Sequence, residues 1–324
     1  MKFRKIVIIG SGAIGTAIGN TVANNSQVEV IILSIEDDVI ESINNNHINK
    51  KYFPNIPLNE RLVATAGLNV LNSADLVFLG IPSSALLDYL RKVKAVLNPR
   101  APLVNLAKGF GSQHKTIAQC ISEEFENPPC SLKGPTFARE MLEKSPTAFT
   151  FAAEDEQHFR EFEKIFKGSP VALDFTTDVL GVELTSILKN IYAIVIGIID
   201  ARFNSPNLRF LMLTRAFKEL REVLNQFEGK EETLFKYCGF GDFTLTALND
   251  LSRNRTLGLF MGKGFYTKEI SDKVLLEGKI ATKVFCEEIA RRNNLHNHFI
   301  INELYKVFYE GVDITTFINK VVNI

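Results

Sequence analysis

Short runs of aliphatic and β-branched residues, four to six long, recur through the first half of the chain: Ile6–Ile9, Val28–Leu33, Leu76–Leu79, Leu103–Leu106, Ala148–Ala152 and Val171–Phe175. Between them, apolar positions return at the three- and four-residue spacing of amphipathic helices, over 16–24, 38–45, 85–96, 115–124 and 156–166. Near-continuous apolar runs suit strands buried on both faces, and their alternation with helices predicts a parallel sheet covered on both sides. After about Thr176 the rhythm changes. Helical periodicity dominates over 180–203, 208–225, 282–293 and 297–309, and strand signals nearly vanish. The pattern predicts an α/β domain over 1–176 with a doubly wound sheet, followed by an all-helical domain over 177–324. No repeat or low-complexity tract interrupts either half.

The first run is followed at once by Gly10-Ser11-Gly12-Ala13-Ile14-Gly15, a G-x-G-x-x-G turn. Alone the pattern is weak. Between a first strand and a first helix it is the Rossmann-type fingerprint, in which glycines let the backbone approach a pyrophosphate and the helix N-terminus offers free N–H groups. An acid about 20 residues further on accepts ribose hydroxyls and disfavours a 2′-phosphate. Glu36 stands at that distance, and no Arg or Lys occurs between Val28 and Ile43. This favours NAD, with NADP possible. Glu36 and Asp37 also suit a helix N-terminus in their own right.

Length and composition narrow the class. A chain of 324 residues accommodates two domains. With 46% hydrophobic residues and 37 basic against 37 acidic, it is neither disordered nor basic enough overall for a dedicated nucleic-acid binder. Cys120, Cys130, Cys238 and Cys286 form no C-x-x-C pair, which suits reduced thiols in the cytoplasm. The histidines show no metal-ligand spacing, and His296 and His298 read as a solvated pair. Lys2, Arg4 and Lys5 precede only four apolar residues before Gly10, too few for a signal peptide. The apolar stretch Ile191–Ile199 is nine residues, short of the ~20 that span a bilayer. No membrane span, metal or nucleic-acid partner is expected.

Several polar residues sit where chemistry would need them. Lys108-Gly109 follows a strand end, the ligand-binding side of a doubly wound sheet, although a surface lysine is common there. Gly134-Pro135-Thr136 reads either as a substrate loop or as an ordinary helix start. Lys189-Asn190 lies inside an otherwise largely apolar helical run. A buried lysine is costly unless paired, and burial brings its pKa toward the range useful to a general acid or base, whereas a lysine at a helix edge would simply snorkel. Glu183, six residues upstream, is off the register of a helical partner. Gly241-Asp242 places an acid among apolar residues. In Ser252-Arg253-Asn254-Arg255, an Arg–Asn pair could grip a phosphate, the guanidinium through its fork; a capped helix with a solvated basic turn is the plainer alternative.

Taken together and in order, these segments resemble soluble NAD(P)-dependent sn-glycerol-3-phosphate dehydrogenases over nearly the whole chain. The resemblance rests on the Gly10–Gly15 turn, Asn46-His47-Ile48-Asn49-Lys50-Lys51-Tyr52-Phe53-Pro54, Ile81-Pro82-Ser83, Lys108-Gly109, the segment from Gly134 to Glu140, Lys189-Asn190, the segment from Gly239 to Asp242, the segment from Ser252 to Arg255, and Glu277-Gly278. It implies interconversion of glycerol 3-phosphate and dihydroxyacetone phosphate, with Lys189 as proton acceptor from the C2 hydroxyl, Lys108 as a second active-site lysine and Asp242 positioning the centre. It further implies that Arg253 and Asn254 bind the substrate phosphate. Gly134, Thr136, Asn190 and Ser252 then complete the substrate contacts. Gly10, Ser11, Gly12, Ala13, Ile14, Gly15, Glu36, Lys108, Ala138, Arg253 and Glu277 contact the cofactor, and a homodimer is implied.

The chain departs from the family pattern in places. Ile14 replaces a usual aromatic, Arg209 stands where Lys is common, Phe243 replaces a usual Leu, and Ser34-Ile35-Glu36 lacks the basic residue of many bacterial relatives. Related two-domain reductases, such as ketopantoate reductases or hydroxyacyl-CoA dehydrogenases, are a second enzyme reading; the latter would need a His–Glu pair, and no His lies near Lys189. A catalytically silent NAD-binding sensor is a third, which would lack the Lys, Asp and Arg set that this chain retains.

Overall fold

The β-branched runs assemble into one sheet in the first of two compact units, Met1–Glu183 and Leu184–Ile324, of the computed structural model, which describes residues 2–265, 277–292 and 298–323. The strands are β1 (Lys5–Ile9), β2 (Glu29–Leu33), β3 (Leu62–Thr65), β4 (Leu76–Leu79), β5 (Leu103–Asn105), β6 (Pro129–Lys133), β7 (Thr147–Ala153) and β8 (Val171–Thr176), in the order β3-β2-β1-β4-β5-β6-β7-β8. Helices α1 (Ala13–Ala23), α2 (Asp37–Asn46), α3 (Ser83–Val93), α4 (Ile117–Glu124), α5 (Ala138–Leu142) and α6 (Glu156–Ile165) connect them.

Strand periodicity sorts β1 between two cores. Ile6 and Ile8 join Ile18, Val22, Val39, Ile43 and Phe162 on one face, where Phe162 stacks on Phe151 with ring centroids 4.1 Å apart. Val7 and Ile9 join Leu86, Leu90, Ile117 and Ile121 on the other. The sheet is therefore covered on both faces, as the doubly wound class requires.

Two strands escaped the sequence pattern, and one pairing breaks the expected parallel rule. β3 is a short edge strand with Val63 half-exposed, so it carries little apolar signal. β6 opens on Pro129 and includes Ser131 and Lys133, which interrupt the apolar run. β6 and β7 pair antiparallel, whereas every other pairing in the sheet is parallel. A parallel return needs a crossover of about a dozen residues or more, usually a helix that carries the chain back along the sheet. The five-residue α5 is too short to carry the chain back along the sheet, so β7 starts at the end where β6 stops.

The described residues of the second unit contain no strand. The helix α7 (Val179–Phe203) begins in the first unit and runs into the second; α8 (Pro206–Gln226), α9 (Asp242–Leu248), α10 (Arg253–Gly262), α11 (Glu277–Arg291), α12 (Phe299–Tyr309) and α13 (Ile314–Val322) follow. Asn293 and Asn297, expected at helix ends, and His296 lie outside the described residues. The apolar stretch expected over nine residues belongs to a 25-residue helix, long and apolar enough to cross a membrane; here its most apolar window is wholly buried inside the protein. α7 meets α10 backbone to backbone. A Cβ on Gly197 would lie 2.3 Å from the Arg255 carbonyl oxygen, and one on Gly258 would lie 2.1 Å from that of Ile194. All four cysteines are buried, and none is in a disulfide. His298 is buried rather than solvated, with Nε2 on the Gln226 side chain, because α12 starts there and packs inward.

Buried Glu219 on α8 ties that helix to the start of α12. Its carboxylate accepts the backbone N–H groups of Ile300 (2.7 Å) and Ile301 (2.9 Å) and the Tyr192 hydroxyl of α7 (3.3 Å). Desolvation outweighs these donors and pushes the carboxyl up to about 7. The folded state thus holds a proton that the unfolded chain releases near pH 4.5, and stability falls as pH rises from there to 7, by roughly 3 kcal/mol in all. Urea denaturation at pH 5 and pH 8 should show this component in the wild type and its absence in Glu219→Gln.

Candidate active site

The turn after β1 forms one wall of a cavity of about 580 Å³ within the first unit. Gly10 has φ of +108°, and a Cβ there would strike the Gly80 carbonyl oxygen at 2.8 Å; a Cβ on Gly15 would meet the Gly10 carbonyl oxygen at 2.3 Å. Both glycines are demanded by the protein itself. Gly12 is different: its added Cβ would find only the Gly80 oxygen, at 3.9 Å. That open space at the N-terminus of α1 is where a phosphate group can approach the backbone, so the residues present fit a dinucleotide. Ser11 Oγ lies 2.7 Å from Ser34 Oγ, joining the turn to the end of β2. Ala13 opens α1, and partly buried Ile14 packs onto the sheet core.

Glu36 lines the same cavity and immediately precedes α2, so its local role at a helix start and its place in the cavity coexist. Lys51 Nζ sits 2.8 Å from Glu36 Oε2. The carboxylate that the local sequence left without a basic neighbour acquires one from the loop after α2. Ile35, 85% exposed, lines the cavity with Tyr52, Ile81, Pro82, Ala85, Tyr89 and Lys92. Sequence reading missed Tyr89 and Lys92, although Ala85, Tyr89 and Lys92 share one helical face.

Fully buried Asn49 explains why its motif accompanies the turn. Its Nδ2 donates to the Ser11 carbonyl oxygen and to Thr16 Oγ1, both at 2.8 Å, which clamps the loop from behind. Lys108 follows β5, half-buried, and Gly109 beside it packs so closely on Ser83 that a Cβ would lie 2.3 Å from Ser83 Oγ. Gly134 passes equally close to β7, 2.1 Å between an added Cβ and the Ala148 carbonyl oxygen. Thr136 Oγ1 pairs with Thr147 Oγ1 at 2.6 Å, and Ala138 opens α5. Glu183, off the register of Lys189, accepts hydrogen bonds from Ser131 Oγ (3.1 Å), the Ala118 N–H (2.9 Å) and Asn105 Nδ2, with Lys133 Nζ 3.9 Å away. This buried cluster anchors α7 near its start.

Two turns along α7, in the second unit, Lys189 is 2% exposed. Its ammonium forms an ion pair with Asp242, itself buried at the start of α9, and donates to Thr246 Oγ1 at 2.9 Å. Asp242 and Thr246 lie one helical turn apart, so a single helix face presents an acceptor and a hydroxyl to one ammonium. Thr246 was not singled out from the sequence; its i,i+4 spacing from Asp242 is the signal that could have found it. Ser252 caps α10 by accepting the Arg255 N–H at 3.3 Å. Arg253 is exposed at the first helical position, and buried Asn254 accepts the Gly278 N–H at 3.2 Å, joining α10 to α11 one residue beyond Glu277. Asn190 is buried beside Lys189 on α7, and a Cβ on Gly278 would lie 2.9 Å from the Asn190 carbonyl oxygen. The second unit thus gathers Lys189, Asn190, Asp242, Thr246, Asn254 and Glu277 on adjoining helices, and the first gathers the Gly10–Gly15 turn and Glu36 at one cavity. No group of three or more potential metal ligands occurs among the described residues.

Comparison with known proteins agrees with this layout. Residues 5–159 match the N-terminal model, and residues 178–319 the C-terminal model, of NAD-dependent glycerol-3-phosphate dehydrogenase. The chain belongs to this family. It is 32% identical to a glycerol-3-phosphate dehydrogenase [NAD(P)+] of Neorickettsia sennetsu, over 93% of this chain and 88% of that one. It is 32% identical to the enzyme of the same name from Leptospira biflexa, over 95% and 94%. The crystal structure of glycerol-3-phosphate dehydrogenase from Coxiella burnetii superposes with a TM-score of 0.88 at 26% identity, covering 99% of both chains.

The Asn49 clamp leads to a direct expectation. Asn49→Ala should weaken NADH binding about tenfold, equivalent to roughly 1.4 kcal/mol. Fluorescence titration checks it, with the unfolding midpoint measured alongside.

Proposed function

We propose that this chain interconverts sn-glycerol 3-phosphate and dihydroxyacetone phosphate, using a nicotinamide cofactor. The observation that carries the reading is the buried ion pair of Lys189 with Asp242, with the Thr246 hydroxyl on the same ammonium. A lysine enclosed in this way has a fixed orientation and a defined partner, which suits proton exchange with a substrate oxygen better than electrostatic steering at a surface. When bound, the nicotinamide ring exchanges a hydride with C2 of the substrate. In oxidation the neutral amine of Lys189 takes the proton from the C2 hydroxyl and becomes the ammonium; in reduction the ammonium returns that proton to the substrate oxygen. Asp242 holds the ammonium in place, and Lys108 contacts the reacting substrate.

Arg253, exposed on the first turn of α10, and Asn254 hold the phosphate, the guanidinium through two parallel hydrogen bonds. Gly134, Thr136, Asn190 and Ser252 complete the substrate contacts. The turn from Gly10 to Gly15 seats the pyrophosphate, Glu36 takes the ribose, and Ala138, Lys108, Arg253 and Glu277 contact the cofactor. Lys51 occupies one oxygen of Glu36 and leaves the other for a ribose hydroxyl, so NAD is favoured and NADP remains usable. The division of labour follows residues 1–176 for the dinucleotide and 177–324 for substrate and catalysis.

A homodimer fits the exposed aromatic residues of the second unit, including Phe210 (59%) and Phe235 (79%). Four buried cysteines outside any disulfide and the buried apolar window of α7 fit a soluble cytoplasmic protein.

NADH oxidation with dihydroxyacetone phosphate tests the activity. Lys189→Ala should abolish turnover while NADH still binds; near-wild-type turnover would remove the lysine from the mechanism. Arg253→Ala should raise KM for dihydroxyacetone phosphate by at least tenfold, a loss of about 1.4 kcal/mol or more. An equal loss with unphosphorylated dihydroxyacetone would refute the phosphate assignment.

A further inference from the structure

The Ser252–Arg255 segment carries two arginines, and they stand in different surroundings. Arg253 is exposed, whereas Arg255 is buried. Three of its N–H donors are engaged: NH1 donates to Asp200 Oδ2 at 2.7 Å and to the Ala247 carbonyl oxygen at 2.9 Å, and Nε donates to Asp250 Oδ1 at 2.8 Å. Asp200 is also buried and receives Arg209 Nε at 2.7 and 2.8 Å on its two oxygens. Two cations and two anions therefore make a neutral cluster, which leaves Arg255 without spare charge for a substrate phosphate.

The partners of this guanidinium come from α7 and α9, which bear Lys189 and Asp242, and from the loop that leads into α10. Asp200 lies on α7 with Lys189. Ala247 lies on α9, next to Thr246 and one turn from Asp242. Asp250 lies in the loop between α9 and α10, and Arg255 itself is two residues from Arg253 and next to Asn254. Around the same point, α7 and α10 touch backbone to backbone at Gly197 and Gly258, so a small shift of one helix is passed to the other.

We infer that Arg255 is a positioning residue, whose three-way grip on Asp200, Asp250 and the Ala247 carbonyl sets the start of α10 so that Arg253 and Asn254 meet the substrate phosphate in register with Lys189. The inference rests on the proposed reaction. A planar guanidinium can hold three acceptors in fixed directions, and a lysine ammonium at the same place cannot reproduce that fork.

The test compares Arg255→Lys with the wild type on dihydroxyacetone phosphate and on unphosphorylated dihydroxyacetone. Arg255→Lys should raise KM for the phosphorylated substrate about tenfold, with kcat within threefold and NADH affinity unchanged. The preference for the phosphorylated over the unphosphorylated substrate, as a ratio of kcat/KM, should fall by a similar factor. A purely structural role would lower both substrates together and leave that ratio as it was, which overturns the proposal. If Arg255→Lys does not fold, Asp250→Asn, at an exposed position, and Asp200→Asn carry the same measurement; a ratio within twofold of wild type in both overturns it. A wild-type enzyme with no preference for the phosphorylated substrate would refute the proposed reaction itself, and the positioning role with it, before any variant is compared.

Discussion

The second unit is organised around one costly placement, an ammonium and a carboxylate buried together. Removing either ion from water costs several kcal/mol, and the loss is offset only if the partner and further hydrogen-bond groups are held in position. Lys189, Asp242 and Thr246 meet that condition, and the helices around them are arranged to keep it met. Glycines bring α10 against α7 at backbone distance. Glu219, with Tyr192, holds the start of α12 against α8.

The first unit solves a different problem, which is to expose backbone N–H groups without letting the backbone move. Gly10 and Gly15 are needed because side chains there would collide with the protein, whereas Gly12 is open on the side a ligand would approach. Asn49 and Thr16 hold the turn from behind, and Ser11 links it to the end of β2. Rigid support behind an open N-terminus is what anion recognition by backbone dipoles requires.

Much of this was legible in the chain. The apolar runs marked six of the eight strands, because strands buried on both faces need little but aliphatic side chains. The change of period after Thr176 marked the helical half. The turn motif, Lys189 in an apolar run, Asp242 between glycines on one side and apolar residues on the other, and Arg253-Asn254 all stood out locally. Other features left weaker marks. β3 is short and half-solvated, β6 is interrupted by Pro129 and Lys133, and the apolar stretch around Ile191 understated the length of α7. His298 looked solvated because its burial depends on Gln226, a residue far away in the chain.

What the sequence determined by itself is what depends on neighbours along the chain: element type, the two-period organisation, the turn that only glycine can make, and the residue types able to exchange a proton or grip a phosphate. Which residues become partners was decided by the tertiary structure. Lys51 reaches Glu36, Thr246 joins Asp242 on Lys189, and Arg255, adjacent to a phosphate-binding candidate, is committed to Asp200 and Asp250. The antiparallel turn of β7 belongs there too, since it follows from how far α5 can carry the chain. Pairing of charges falls off steeply with distance and with solvent, so it is settled only when packing has brought the groups within a few ångströms and excluded the water between them.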